Sequence, residues 1–412
     1  MRSGRARARG SRPLAIGLLA PAALAFLVSL LAAGAHRPSR SDLIAYVHEG
    51  RDDRPRIWLV LADGTARTAL LPLGRERRWN PRWSPDGRRL LVSTPAGLYV
   101  ARLDARGAFP KAVGLRRVGR FAGGDGADWS PDGTRLTFAD GARSRTCSDL
   151  YTGRADGTGL RRLSKTRACE RQPAWSPDGK TIALQRDTAD GYEIVLIDAG
   201  GRERRTLGKG TFPAWSPDGH SLAFLVEGGI KIVDPGTGRE IQTLRPPHPY
   251  DEPENGLTWS PDGRRLAFGF HDPIETFPLT HLAVIAADGS NVERLTWPTT
   301  FPDREPDWRP RCTVYGTDRD DVLTGTPGDD LICGLRGDDR IRALEGNDTV
   351  LGGDGEDILI GGPGEDRLFG AGGRDRLDAR DGSADLVDGG PGVDRARVDV
   401  GVDDVAAERV VR

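Results

Sequence analysis

The sequence predicts an all-β chain built from two successive repeat arrays, the first of them a six-bladed β-propeller. Three observations carry this. Trp-Ser-Pro-Asp-Gly recurs five times, beginning at Trp83, Trp129, Trp175, Trp215 and Trp259, with spacings of 46, 46, 40 and 44 residues, the length of one four-stranded propeller blade. From Gly316 onward the period falls to nine. Finally, 55 Gly and 29 Pro stand against one Met and 6% aromatic residues, a composition suited to turns rather than to a helical core.

Hydrophobic residues make up 37% of the 412 positions, enough to exclude global disorder. The balance of 59 Lys and Arg against 60 Asp and Glu argues against a nucleic-acid partner recognised by bulk positive charge. That balance is an average over unlike segments. Residues 1–35 hold five Arg and no acid, residues 36–315 hold 42 basic and 36 acidic residues, and residues 316–412 hold 12 Arg against 24 acids. The basic start, the apolar run from Leu14 to Ala33 and the small residues Ala33-Gly34-Ala35 read as a secretory signal over 1–35. The alternative is an uncleaved anchor, the one route by which this chain would meet a membrane. No Cys follows the apolar run, so a lipid anchor is not expected. Both readings place the remainder outside the cytoplasm, secreted or in the cell envelope.

Each pentapeptide closes a hairpin. Pro presets φ for the first turn position, Asp bonds to nearby backbone, and Gly accepts positive φ. Apolar strands follow, as in Leu90-Leu91-Val92, Ile182-Ala183-Leu184 and Leu266-Ala267-Phe268. Leu43 to Leu71 has the pattern of three strands without a preceding pentapeptide, while Trp308-Arg309-Pro310, 49 residues after Trp259, begins a unit that nothing completes. Together these halves make one blade and close a ring of six over residues 36–311. The array resembles TolB-type Pro-Asp propeller repeats, although the N-terminal α/β domain of that family is missing. Regularly placed Trp is expected as packing between blades. Asp86, Asp132, Asp178, Asp218 and Asp262 are expected as turn formers.

In the second array, units begin at Gly316, Gly325, Gly334, Ala343, Gly352, Gly361, Gly370, Ala379 and Gly389. The sixth position is Asp321, Asp330, Asp339, Asp348, Asp357, Asp366 and Asp375, then, after a one-residue insertion, Asp385 and Asp394. An apolar residue stands two after each of these, from Leu323 to Ala396. Gly-rich turns expose carbonyls, the Asp column supplies hard anionic oxygen, and one apolar column makes a thin core that charge repulsion opposes until a cation arrives. The array resembles the RTX nonapeptide, Gly-Gly-x-Gly-x-Asp-x-apolar-x. The resemblance implies a parallel β-roll over 312–412, with a C-terminal cap, that binds Ca²⁺ in its turns through these nine Asp. Pairing units two apart allows at most seven sites. Arg319, the replacements Thr317, Leu335 and Leu344, and the slip near Asp381 weaken the ends, which leaves the central sites around Asp348, Asp357, Asp366 and Asp375 best formed. An N-terminal leader is at odds with the C-terminal secretion signal of many RTX proteins.

Four Cys suit an oxidising exterior. Cys147 and Cys169 flank a hairpin turning at Asp156-Gly157, and Cys312 and Cys333 bracket the junction of the arrays. Two disulfides are expected, each stabilising by about 3 kcal/mol. No catalytic motif is found: there is no Gly-x-Ser-x-Gly elbow, no His-Glu-x-x-His and no CxxC, and His220, His248, His271 and His281 lack ligand spacing. The expectation is a non-catalytic recognition module for a protein or an envelope polysaccharide. A propeller hydrolase or polysaccharide lyase and a structural attachment protein are the alternatives. The loop around His248, Tyr250 and Glu254, with Arg82, Asp128, Arg171 and Asp307, is the candidate ligand face, since loops at this position border the propeller mouth in the resembling family.

Overall fold

The computed structural model describes residues 43–49, 56–64, 66–71, 79–94, 97–104, 109–119, 126–140, 148–164, 166, 168–247, 253–271, 280–296, 302–310, 312–317, 319–399, 401–406 and 409–411. The leader, Cys147, His248 and Tyr250 lie outside the described residues. Those described are strands, turns and bends without a helix, and propeller and roll fall in one compact unit, Arg40–Arg412.

Six four-stranded antiparallel sheets form the propeller. Their innermost strands are Trp79–Trp83, Ala127–Trp129, Glu170–Trp175, Thr211–Trp215, Pro253–Trp259 and Asp303–Trp308. Blade 4 shows the plan: Glu170–Trp175, Thr181–Thr188, Gly191–Asp198 and Glu203–Lys209 pair in sequence order. Blade 1 is composite, because Asp303–Trp308 pairs with Leu43–His48, Ile44 facing Trp308 and His48 facing Asp303. The ring therefore closes by backbone pairing between segments some 260 residues apart.

The pentapeptide works as its chemistry dictates. In blade 6 the Ser260 hydroxyl donates to Asp262 at 2.6 Å and accepts from the Arg265 amide at 2.9 Å, while Gly263 sits at φ +66°. The Trp that opens the motif packs between sheets and pins neighbouring blades. The Trp129, Trp215 and Trp259 indoles donate to the carbonyls of Arg82, Ala174 and Ala214 at 3.0 to 3.1 Å, each acceptor lying in the preceding blade. A bulge three or four residues before this Trp recurs on the inner strands. It puts Asn80, Gln172, Phe212, Asn255 and Glu305 at positive φ, a conformation that costs a non-glycine residue about 1–2 kcal/mol.

The C-terminal array winds into two parallel six-stranded sheets, one nonapeptide contributing to each in alternation, so a full turn takes 18 residues. The first sheet holds Val314–Tyr315, Leu331–Arg336, Thr349–Asp354, Arg367–Gly372, Leu386–Asp388 and Asp404–Ala406. The second holds Val322–Thr324, Arg340–Arg342, Ile358–Ile360, Arg376–Ala379, Arg395–Val398 and Arg409–Val411. Between them lies a single layer of Ile332, Ile341, Val350, Leu359, Leu368 and their neighbours. Leu335 and Leu344 adopt φ +93° and +85°, because they occupy the second position of their repeats, where Gly353 and Gly362 adopt +121° and +118°. The L335G/L344G variant is expected to stabilise the roll by about 1 kcal/mol per site through relief of strain. Circular dichroism melts check this, and a lowered midpoint contradicts it.

Candidate metal centre in the roll

The nine Asp form two ladders, one along each edge of the roll. Each ladder joins residues one full turn apart. Asp339 Oδ1 accepts the Asp321 amide at 2.8 Å, and Asp357 and Asp375 continue that edge at 2.9 Å per step. On the other edge Asp348 accepts from Asp330, Asp366 from Asp348 and Asp385 from Asp366, at 2.8 to 2.9 Å. The ladder bonds use only one oxygen of each carboxylate. The second, Oδ2 of Asp339, Asp348, Asp357, Asp366, Asp375 and Asp385, is buried without a hydrogen-bond partner, a costly state for a polar atom unless a ligand satisfies it.

The first two Asp differ. Asp321 Oδ2 accepts the Thr317 amide at 2.6 Å and the Thr317 hydroxyl at 2.8 Å. Asp330 Oδ2 accepts the equivalent groups of Thr326 at 2.6 and 3.0 Å. A threonine at the second repeat position thus plugs the oxygen that stays open farther along. Asp394, whose Oδ1 accepts the Asp375 amide at 2.9 Å, ends the first edge.

Glycine makes room for this arrangement. A Cβ at Gly352 would stand 2.5 Å from Asp357 Oδ2, and one at Gly355 would collide with the carbonyl oxygen of Gly337, one turn earlier. Carboxylate and stacked turn carbonyls therefore crowd the same edge. Among the described residues no three His, Cys, Asp or Glu side chains converge, so each layer offers one carboxylate and the backbone must complete a coordination shell. Hard oxygen donors of this mixed kind suit Ca²⁺. Burial, reinforced by the like charges of the ladder, pushes these carboxylates up: Asp339 and Asp348 to about 6, Asp357, Asp375 and Asp385 to about 7, and Asp366 to about 8. A bound cation reverses that preference.

Cys312 and Cys333 form a disulfide with Cα atoms 5.9 Å apart, tying the end of the propeller to the first turn of the roll. Cys169 is also disulfide-bonded.

The propeller residues singled out from sequence separate into two groups. Arg82 Nη1 lies 3.7 Å from Asp307 Oδ1, and Asp128 is near enough to both to act on them electrostatically. These inner-strand acids also grip backbone: Asp307 accepts the Trp83 amide at 2.6 Å and Asp128 the Trp175 amide at 2.8 Å. Burial raises their carboxyls to about 7 and about 6. Arg171 instead pairs with Asp187 at 2.9 Å, and Glu254 accepts the Thr280 hydroxyl at 2.9 Å. Two features escaped the sequence. Glu305, on a bulge, accepts the Asn80 amide at 2.5 Å, and His48 Nδ1 meets the buried Asp303 at 2.6 Å where the ring closes. Only the pairing of the first strand with the last brings either couple together.

Residues 39–312 match the TolB beta propeller domain. Four overlapping stretches within 315–396 match the RTX calcium-binding nonapeptide repeat. The Tol-Pal system protein TolB of Anaeromyxobacter sp. (strain K) is 32% identical over 136 residues, which are 32% of this chain and 29% of that protein. The chain thus spans less than a third of the length of this curated relative. Among solved structures, TolB from Acinetobacter baumannii is similar with a TM-score of 0.50 at 21% identity, covering 66% of this chain and 67% of that one. The nidogen/laminin complex is similar with a TM-score of 0.52 at 13% identity, covering 65% and 98%. These two likenesses concern the fold. By the extent of the propeller match, the chain belongs to the TolB beta propeller domain family, and it carries RTX calcium-binding repeats at its C-terminus.

Proposed function

We propose that this is an exported calcium-binding protein in which Ca²⁺ orders the roll and the propeller acts as a non-catalytic recognition module for a protein or an envelope polymer. The observation that carries the calcium reading is the run of buried Asp oxygens without partners, from Asp339 to Asp385. For the propeller, the roll contacts the end that bears the Ser-Pro-Asp-Gly turns, where Arg367 donates to the Pro217 carbonyl at 3.2 Å. The opposite end, where Arg171 and Glu254 stand, is then the recognition face.

Titration calorimetry of the full chain with calcium tests the first half. Uptake is expected at millimolar calcium or below. D357N/D375N is expected to lower the number of ions bound, whereas D321N, at a position plugged by Thr317, is expected to change it little. Equal loss in both variants, or no uptake by the parent chain, refutes the assignment.

A further inference from the structure

The two faces of the roll differ in charge, and the nine-residue period conceals this because alternate units face opposite ways. Residues flanking each core position point outward. On the first sheet these are Leu331, Thr349, Arg367, Leu386 and Asp404 in one row and Cys333, Leu351, Phe369, Asp388 and Ala406 in the other, a mixed face. Phe369 is only 2% exposed there, and Arg367 of the same face reaches propeller carbonyls. On the second sheet the register aligns Val322, Arg340, Ile358, Arg376 and Arg395 in one row and Thr324, Arg342, Ile360, Asp378 and Arg397 in another. All five Arg are exposed. Asp378, the one acid in these rows, is held by Arg380 and Arg397. Arg340, Arg342, Arg376 and Arg395 make no ion pair among the described residues.

A segment with twice as many acids as Arg thus gathers five guanidinium groups on the one sheet face turned away from the propeller. The dimensions restrict what could lie on it. The rows stand two residues apart on each strand, about 7 Å, and five strands at about 4.8 Å spacing give a length of about 19 Å. Such a strip is the width of one extended polymer chain and too narrow for a bilayer patch. Guanidinium forks match carboxylates bidentately. The side chains of Val322, Ile358 and Ile360 interrupt the charge with apolar surface suited to the faces of sugar rings. An extended uronate polymer offers one carboxylate per sugar, at a rise close to the strand spacing.

We propose that this strip binds a single chain of carboxylate-bearing acidic polysaccharide. The inference rests on the calcium reading only in that the roll must be ordered. It adds a second binding surface, distinct from the recognition face of the propeller.

The test uses the full chain loaded with calcium and a fluorescent oligogalacturonate long enough to span the five strands, followed by anisotropy. Binding is expected to weaken with added salt, since screening acts on exposed charge. R340A/R376A/R395A, a change confined to exposed side chains, is expected to weaken binding at least tenfold with unchanged calcium uptake. Neutral dextran and phosphatidylglycerol vesicles are expected not to compete. Normal calcium uptake with no oligouronate binding, equal binding by the triple variant, or displacement by vesicles overturns the strip while leaving the calcium reading intact. Absence of calcium uptake by the parent chain overturns both.

Discussion

Calcium is expected to raise the thermal midpoint of the tryptophan fluorescence of the full chain, although no tryptophan lies in the roll. All nine Trp fall between Trp58 and Trp308, so this signal reports the propeller alone, while the oxygens assigned to calcium begin only with the roll. A connection exists between the two. Arg367 donates to the Pro217 carbonyl at 3.2 Å and to the Asp218 carbonyl, both in the turn of blade 5. Lys180 of blade 4 pairs with Asp404. A roll ordered by calcium holds these contacts together. A roll destabilised by loss of calcium melts earlier and releases them, and with them its hold on blades 5 and 4.

The size of the effect follows from the contacts. Hydrogen bonds from a charged donor are worth about 1.5–3 kcal/mol each, and exposed pairs such as Lys180–Asp404 much less. Coupling of that order shifts the midpoint of a domain this size by about 4 °C or more. R367A/K180A should abolish the shift while calcium uptake persists, since neither side chain supplies an oxygen to the Asp ladders. An unchanged fluorescence midpoint in the parent chain, alongside calorimetric uptake, shows that the roll is ordered without gripping the propeller.

Most of this architecture is written in local patterns. The pentapeptide defines its own turn through Ser260, Asp262 and Gly263, and a nine-residue Asp column requires no distant partner to be recognised. Even the split blade could be seen, because Leu43–Leu71 and Trp308 are complementary fragments of one unit. What sequence hid depends on pairing across the chain. Glu305 meets Asn80, and His48 meets Asp303, only after the ring closes. The plugging of Asp321 and Asp330 by Thr317 and Thr326 was partly visible: Thr317 could be marked as a departure from Gly, but its hydroxyl bond to the carboxylate needs the turn geometry. The Arg strip required a different period. At nine residues the seventh position reads as a mixture of Arg and apolar residues. At eighteen it separates into a mixed row, Leu331, Thr349, Arg367 and Leu386, and a row richer in Arg, Val322, Arg340, Ile358, Arg376 and Arg395, a distinction set by the two-sheet winding.

The calcium-free roll should lose stability as pH rises from about 4 to about 8, the reverse of ordinary acid denaturation. An Asp in the unfolded chain titrates near 3.9, whereas the folded, metal-free ladder holds Asp339 and Asp348 at about 6, Asp357, Asp375 and Asp385 at about 7 and Asp366 at about 8. Groups raised on folding contribute stability fully below the unfolded pKa, and that contribution is lost as pH climbs through the folded values. Circular dichroism melts in chelator should therefore show a midpoint falling across this window, most steeply between pH 5 and 7. In saturating calcium the cation takes the place of the proton and the dependence should flatten or reverse. Calcium binding near pH 6 should accordingly release protons, so its measured heat should change between buffers of different ionisation enthalpy. A metal-free midpoint that rises steadily to pH 8 contradicts the buried ladder, because it requires carboxylates that fold more easily charged than neutral. D366N separates this cause from general charge repulsion: removing the most strongly raised group should stabilise the metal-free roll at pH 8, leave it little changed at pH 4, and weaken calcium binding at both.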